Sequence, residues 1–133
     1  MMKVLIIENE AQTVQFAFNA ANTIFFNNEI EYKYIAKSQE INWNQINQYS
    51  CIFVDISLAM KSDLDGIGII AKIQDEHSEI IPKIAIITGH HKISEAIKEN
   101  GLNIKSSQII LKPLRYREIA NFISSVTDCD SQN

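Results

Sequence analysis

Three features of the sequence predict an α/β fold, an open and mostly parallel sheet with helices on both faces. Short apolar runs recur at Val4 to Ile7, Cys51 to Val54, Ile84 to Ile87 and Ile109 to Leu111, each too short for a helix. Apolar residues on successive positions mark strands buried on both faces. Segments with apolar residues at helical spacing lie between these runs, so strand and helix alternate along the chain. That order requires parallel pairing through right-handed crossovers.

In chain order, the first strand leads into Glu8, Asn9 and Glu10. A helix follows, with Val14, Ala17, Phe18, Ala21 and Phe25 on one face. The run from Glu29 to Ile35 alternates Ile30, Tyr32 and Tyr34 against Glu31 and Lys33. One wet face suits the edge of the sheet. The segment from Gln39 to Gln48 has the sparsest apolar pattern and is read as the second helix. The third strand runs into Asp55, and a loop then reaches Asp65-Gly66 and a helix marked by Ile69, Ile70 and Ile73. The fourth strand is followed by Thr88, and its helix carries Ile93, Ala96 and Ile97 before Asn100-Gly101, a suitable C-terminal cap. The fifth strand leads into Lys112-Pro113, and Tyr116, Ile119, Ala120 and Ile123 mark the last helix.

A chain of 133 residues can bury one core and is too short for two ordinary domains, so a single domain is expected over residues 1–127, with a polar tail at 128–133. Its net charge of −4 and its scattered lysines give no footprint for a phosphate backbone, and no direct nucleic-acid partner is expected. The start "MMKVLIIENE" has neither a signal-peptide core nor a membrane span, so a cytoplasmic location is expected and no membrane partner. Cys51 and Cys129 lack metal-site spacing and are read as reduced. His90-His91 reads as a loop pair, and Trp43 as a packing residue.

In open α/β sheets, ligands sit at the carboxyl ends of the strands. Here those ends carry Glu8, Asn9 and Glu10, then Asp55, then Thr88, then Lys112. Each has a plain reading as a solvated strand end or turn residue. Together they compose a cation site beside a phosphate-sized anion site.

With "IIENE", "FVDIS", "IITG" and "LKPL" in this order, the chain resembles over about residues 3 to 127 the receiver domain of two-component response regulators. The resemblance implies the flavodoxin-like strand order 2-1-3-4-5. It also implies Asp55 as the aspartate that accepts a phosphoryl group, Thr88 as the hydroxyl that contacts that group and Lys112 as its positive charge. Mg²⁺ would be held by the acidic-pair positions Glu8 and Asn9, by Asp55 and by the backbone carbonyl of Ser57. The family's cis peptide would fall at Lys112-Pro113 and aim the lysine inward. The implied donor is a phosphohistidine on a histidine kinase or phosphotransfer protein, and the implied output is a surface change read by a downstream protein. The family uses the face of the fourth helix, fifth strand and fifth helix, where Lys98, Arg115 and Tyr116 fall. Such a domain catalyses its own phosphorylation and is not a turnover enzyme.

Three positions differ from the family pattern. Asn9 stands where the second acid, the direct metal ligand, is usual; an amide oxygen can coordinate Mg²⁺ without bringing charge. Ile109 stands where an aromatic ring usually turns inward. The loop from Asp55 to Gly66 is longer than the common form and lacks proline, with Ala59, Lys61 and Ser62 on its rim. The differences define an alternative, a pseudo-receiver that uses the fold as a binding surface without phosphate. A flavin-binding flavodoxin is disfavoured, because the acids of "ENEAQT" would repel the flavin phosphate.

Overall fold

The computed structural model describes residues 2–57, 62–89 and 92–131, with side chains as far as residue 127. The sheet contains β1 (Met2–Ile7), β2 (Ile30–Ile35), β3 (Cys51–Asp55), β4 (Ile84–Thr88) and β5 (Ile109–Leu111). All neighbours are parallel and the order is β2-β1-β3-β4-β5, as expected. The helices are α1 (Ala11–Phe25), α2 (Gly66–Glu76), α3 (Ile93–Glu99) and α4 (Tyr116–Ser131). The last of these continues into the segment expected to be a tail. Ala59, Lys61, His90-His91 and the side chain of Cys129 lie outside the described residues.

Strand alternation divides the interior into two cores. Val4, Ile6, Phe53, Ala85, Ile87 and Ile110 face one way, against Val14, Phe18 and Ala21 of α1 and Ile119, Ala120 and Ile123 of α4. Phe18 meets Phe53 edge to face at 4.9 Å and Tyr32 at 5.4 Å. Leu5, Ile7, Ile52, Val54, Ile84 and Ile86 face the other way, against Ile69, Ile70 and Ile73 of α2 and Ile93 and Ile97 of α3. β3 and β4 are therefore buried at every position, whereas β2, at the edge, exposes Glu31 and Lys33.

The expected second helix does not form. In its place are two 3-10 segments, Ser38–Glu40 and Trp43–Gln48. Asn42, Asn44 and Asn47 compete for backbone hydrogen bonds in this stretch, and its buried apolar residues Ile41 and Ile46 do not repeat at helical spacing. A further 3-10 segment, Ser78–Lys83, precedes β4. The expected stop after α3 is a Schellman cap. Leu102 N–H donates to the Ile97 carbonyl at 3.0 Å and Gly101 N–H to the Lys98 carbonyl at 3.1 Å. Gly101 takes the left-handed φ of 63° that this cap needs.

Candidate functional site

The strands end where the sequence places chemistry, and the pleat decides which side chains meet. Glu8 N–H donates to the Ile35 carbonyl at 2.9 Å, which extends the β1 ladder by one residue. Glu8 then falls in register with Val4 and Ile6, and Asp55 with Cys51 and Phe53, on the α1/α4 side of the sheet. Thr88 falls in register with Ile84 and Ile86, on the α2/α3 side. It is 1% exposed, and its carbonyl accepts the Lys112 N–H at 2.8 Å.

Lys112 follows β5, and the Lys112–Pro113 peptide is cis, as the resemblance implied. Its Nζ donates to Glu8 Oε1 at 2.6 Å and lies 3.7 Å from Asp55 Oδ2. One ammonium therefore bridges two buried carboxylates, Glu8 at 1% and Asp55 at 4% exposure. Burial pushes the Glu8 carboxyl up to about 7, with hydrogen bonding and repulsion from Asp55 adding to the rise and Lys112 opposing it. For Lys112, burial works against the charge, but the Glu8 hydrogen bond and the nearby negative groups outweigh it and hold the ammonium above its usual range. No protein donor reaches the buried Glu8 Oε2, which adds to the cost of the ionised carboxyl.

In front of this cluster lies a cleft of about 230 Å³ lined by Asn9, Glu10, Asp55, Ser57, Gly89 and Lys112. Asn9, Asp55, Ser57 and Lys112 thus line one cleft, while Glu8 and Thr88 are not on its wall. Glu10 and Gly89 are wall residues that the sequence reading did not assign. Glu10 is at the N-cap of α1, yet its side chain makes no capping hydrogen bond.

The loop after β3 is fixed closely to Asp55. Ser57 N–H donates to Asp55 Oδ1 at 3.1 Å, and Gly66 N–H donates to the Ile56 carbonyl at 3.3 Å. A Cβ on Gly66 would collide with the Asp55 carbonyl oxygen and lie 2.6 Å from Ile56 Cα, so only glycine lets the start of α2 approach the strand end. Asp65 caps α2 by accepting the Gly68 N–H at 2.7 Å.

Among the described residues, no three His, Cys, Asp or Glu side chains form a cage for a metal ion. The cleft nevertheless offers the donor type that Mg²⁺ accepts: one or two carboxylates with neutral oxygens, the remaining positions being filled by water. Asp55, Asn9, Glu10 and Ser57, which line the cleft, all carry oxygen atoms of the kind that Mg²⁺ takes.

No family model matches the chain, and no curated protein matches it. Solved structures do. A response regulator receiver domain protein from Clostridium thermocellum superposes with a TM-score of 0.71 at 18% identity, over 99% of this chain and 98% of that one. The chain has the receiver fold. The receiver domain of a Francisella response regulator gives a TM-score of 0.69 at 19% identity, over 98% of this chain and 99% of its own. The response regulatory domain of protein mrkE from Klebsiella pneumoniae gives 0.67 at 23% identity, over 99% and 100%. Within this receiver fold, the 3-10 crossover from β2 to β3 means that the face expected for output is built from α3, β5 and α4. No described helix is long and apolar enough to cross a membrane.

Proposed function

We propose that this receiver-fold chain is a phospho-acceptor of a two-component system, taking a phosphoryl group from a phosphohistidine onto Asp55. The observation that carries this reading is the Lys112 ammonium set between Glu8 and Asp55 at the carboxyl edge of the sheet. A carboxylate can attack a phosphoryl group only where the repulsion of two anions is offset, and fixed positive charge beside the nucleophile does this.

In the proposed transfer, an Asp55 carboxylate oxygen forms its bond to phosphorus as the P–N bond of the donor breaks; the departing nitrogen keeps the bonding pair, and the ring, already protonated on its other nitrogen, leaves as neutral imidazole. Asp55, Asn9 and the Ser57 carbonyl would hold Mg²⁺, with Glu8 behind them. When bound, the ion supplies charge neutralisation between the acceptor and the phosphoryl oxygens. Lys112, already beside Asp55, moves its ammonium from Glu8 toward the incoming oxygens. Thr88 presents its hydroxyl only after a rotation, because its register places it on the other side of the sheet.

The donor partner is a histidine kinase or phosphotransfer protein. It has to approach the carboxyl edge, where Phe16, Leu114, Arg115 and Tyr116 line a groove of about 470 Å³ between α1 and α4. Phe16 is 84% exposed on a helix that carries no charged residue, which suits an apolar contact. A downstream protein reads the result, the domain performs no turnover of its own, and its place is the cytoplasm.

The second reading is a pseudo-receiver, favoured by the amide of Asn9 where a metal-binding acid is usual. Fluorine NMR with beryllofluoride and Mg²⁺ separates the two. The expected outcome is a bound beryllofluoride signal that Asp55→Asn abolishes. A parent protein that takes up no beryllofluoride at saturating Mg²⁺ is a pseudo-receiver.

A further inference from the structure

The loop that follows Asp55 is tied to the crossover where the second helix is missing. Ser38 N–H donates to Ser62 Oγ at 2.8 Å, and Ser62 Oγ donates to the Leu64 carbonyl at 2.6 Å. Leu64 N–H donates to Ser38 Oγ at 2.9 Å, and Ser38 Oγ donates to Gln39 Oε1 at 3.2 Å. Asp63 N–H donates to that same Gln39 oxygen at 3.0 Å. Ser38 is 3% exposed, and each hydroxyl both gives and accepts. The result is a closed, uncharged clasp between the 3-10 segment Ser38–Glu40 and residues 62–64, where mutual polarisation strengthens each bond.

We infer that this clasp couples the occupancy of Asp55 to the β2–β3 crossover, with Ser38, Gln39 and Ser62 as positioning residues for the acceptor loop. The inference rests on Asp55 being the acceptor. The loop is held at its start by the Ser57 N–H on Asp55 Oδ1, and at its end by Gly66 packed on the Asp55 carbonyl and by the Asp65 cap. Phosphorylation converts the carboxylate into an acyl phosphate, which leaves Ser57 N–H a weaker, less charged acceptor. Drawing the Ser57 carbonyl toward a cation moves the same residue. A displacement of the acceptor backbone reaches Gly66, which packs on the Asp55 carbonyl and bonds the Ile56 carbonyl, and two residues before Gly66 it meets Leu64, held by the clasp. The crossover lies at the β2 edge of the sheet, opposite β5, so this route leads away from the α3–β5–α4 face.

The test uses the intact chain with beryllofluoride and Mg²⁺, and reads the backbone amides of Ser38, Asp63 and Leu64 by NMR. These three donors are expected to shift on binding. Ser62→Ala is expected to change the beryllofluoride Kd by about fivefold, the lower end of ordinary coupling between sites. Ser62→Thr, which keeps the hydroxyl, is expected to return it to the parent value. Should Ser62→Ala fold poorly, Gln39→Ala removes an exposed side chain together with the bonds that Asp63 N–H and Ser38 Oγ make to it, with the same readout. Beryllofluoride that binds while these amides stay unmoved and the variants keep the parent Kd overturns the coupling and leaves the acceptor reading intact. A parent protein that binds none overturns both.

Discussion

Asp55 stands between two regions that are held by different forces. Toward β1 and β5 it faces a desolvated charge cluster, in which Lys112 Nζ sits 2.6 Å from Glu8 Oε1 and 3.7 Å from Asp55 Oδ2. Toward β2, its loop is fastened by the neutral hydrogen bonds of Ser38, Gln39 and Ser62. Charges in a dry setting interact over several ångströms and respond to protons and cations. Neutral hydrogen bonds act only at contact distance and ignore pH. Under the proposed function, the first region responds to what arrives at Asp55, and the second to a shift of the backbone beside it.

The largest expected effect is at Gly66, which packs on the Asp55 carbonyl two residues after the clasp residue Leu64. Gly66→Ala forces a methyl group into the Asp55 carbonyl and should lower stability by about 1–3 kcal/mol, measured by urea unfolding. It should also weaken beryllofluoride binding, because the acceptor backbone has to move. A variant as stable as its parent would show that the two regions are not joined at this point.

The next prediction sharpens the contrast in pH response. Glu8 titrates near 7 in the folded chain against 4.5 when unperturbed. Between these values the folded state holds a proton that the unfolded chain has lost, so metal-free stability falls as pH rises from about 4.5 to about 7. Lys112 is charged in both states across this window and adds no slope. Glu8→Gln should flatten the profile, as read from urea midpoints between pH 5 and pH 8. An unchanged slope would place the titrating group elsewhere.

Asn9→Asp tests the charged side with a cation. The added carboxylate at the cleft should tighten Mg²⁺ binding by about tenfold, or about 1.4 kcal/mol, and slightly lower metal-free stability through repulsion with its neighbours. Titration of NMR shifts measures the first and urea unfolding the second. Unchanged affinity would remove Asn9 from the metal shell and leave Glu10 as the carboxylate to examine. The smallest effect is expected at the neutral side, where Gln39→Ala should cost about 1 kcal/mol, equally at pH 5 and pH 8. A pH-dependent loss there would mean that the clasp is coupled to a titrating group.

Local pattern determined much of this protein. Strands buried on both faces announce themselves as unbroken isoleucine and valine runs, and the alternation of strand and helix leaves a parallel sheet as the consistent arrangement. Once the strands were placed, their carboxyl ends named Glu8, Asn9, Asp55, Thr88 and Lys112, because a parallel sheet brings all its strand ends to one edge. The tertiary structure decided what those residues do to one another. Register turned Thr88 to the opposite side of the sheet from Asp55, and a one-residue difference in pleat is invisible in composition. Glu8 lies off the cleft wall and Glu10 on it, although both follow β1. The Glu8–Lys112 pair spans 104 residues of sequence, and the Ser38–Ser62 bond spans 24. The helix expected from Gln39 to Gln48 was lost to the same cause. Its few apolar residues could not outweigh the asparagines, and the hydrogen bonds that hold its first turn, at Ser38 and Gln39, come from a loop far along the chain, which no local spacing can reveal.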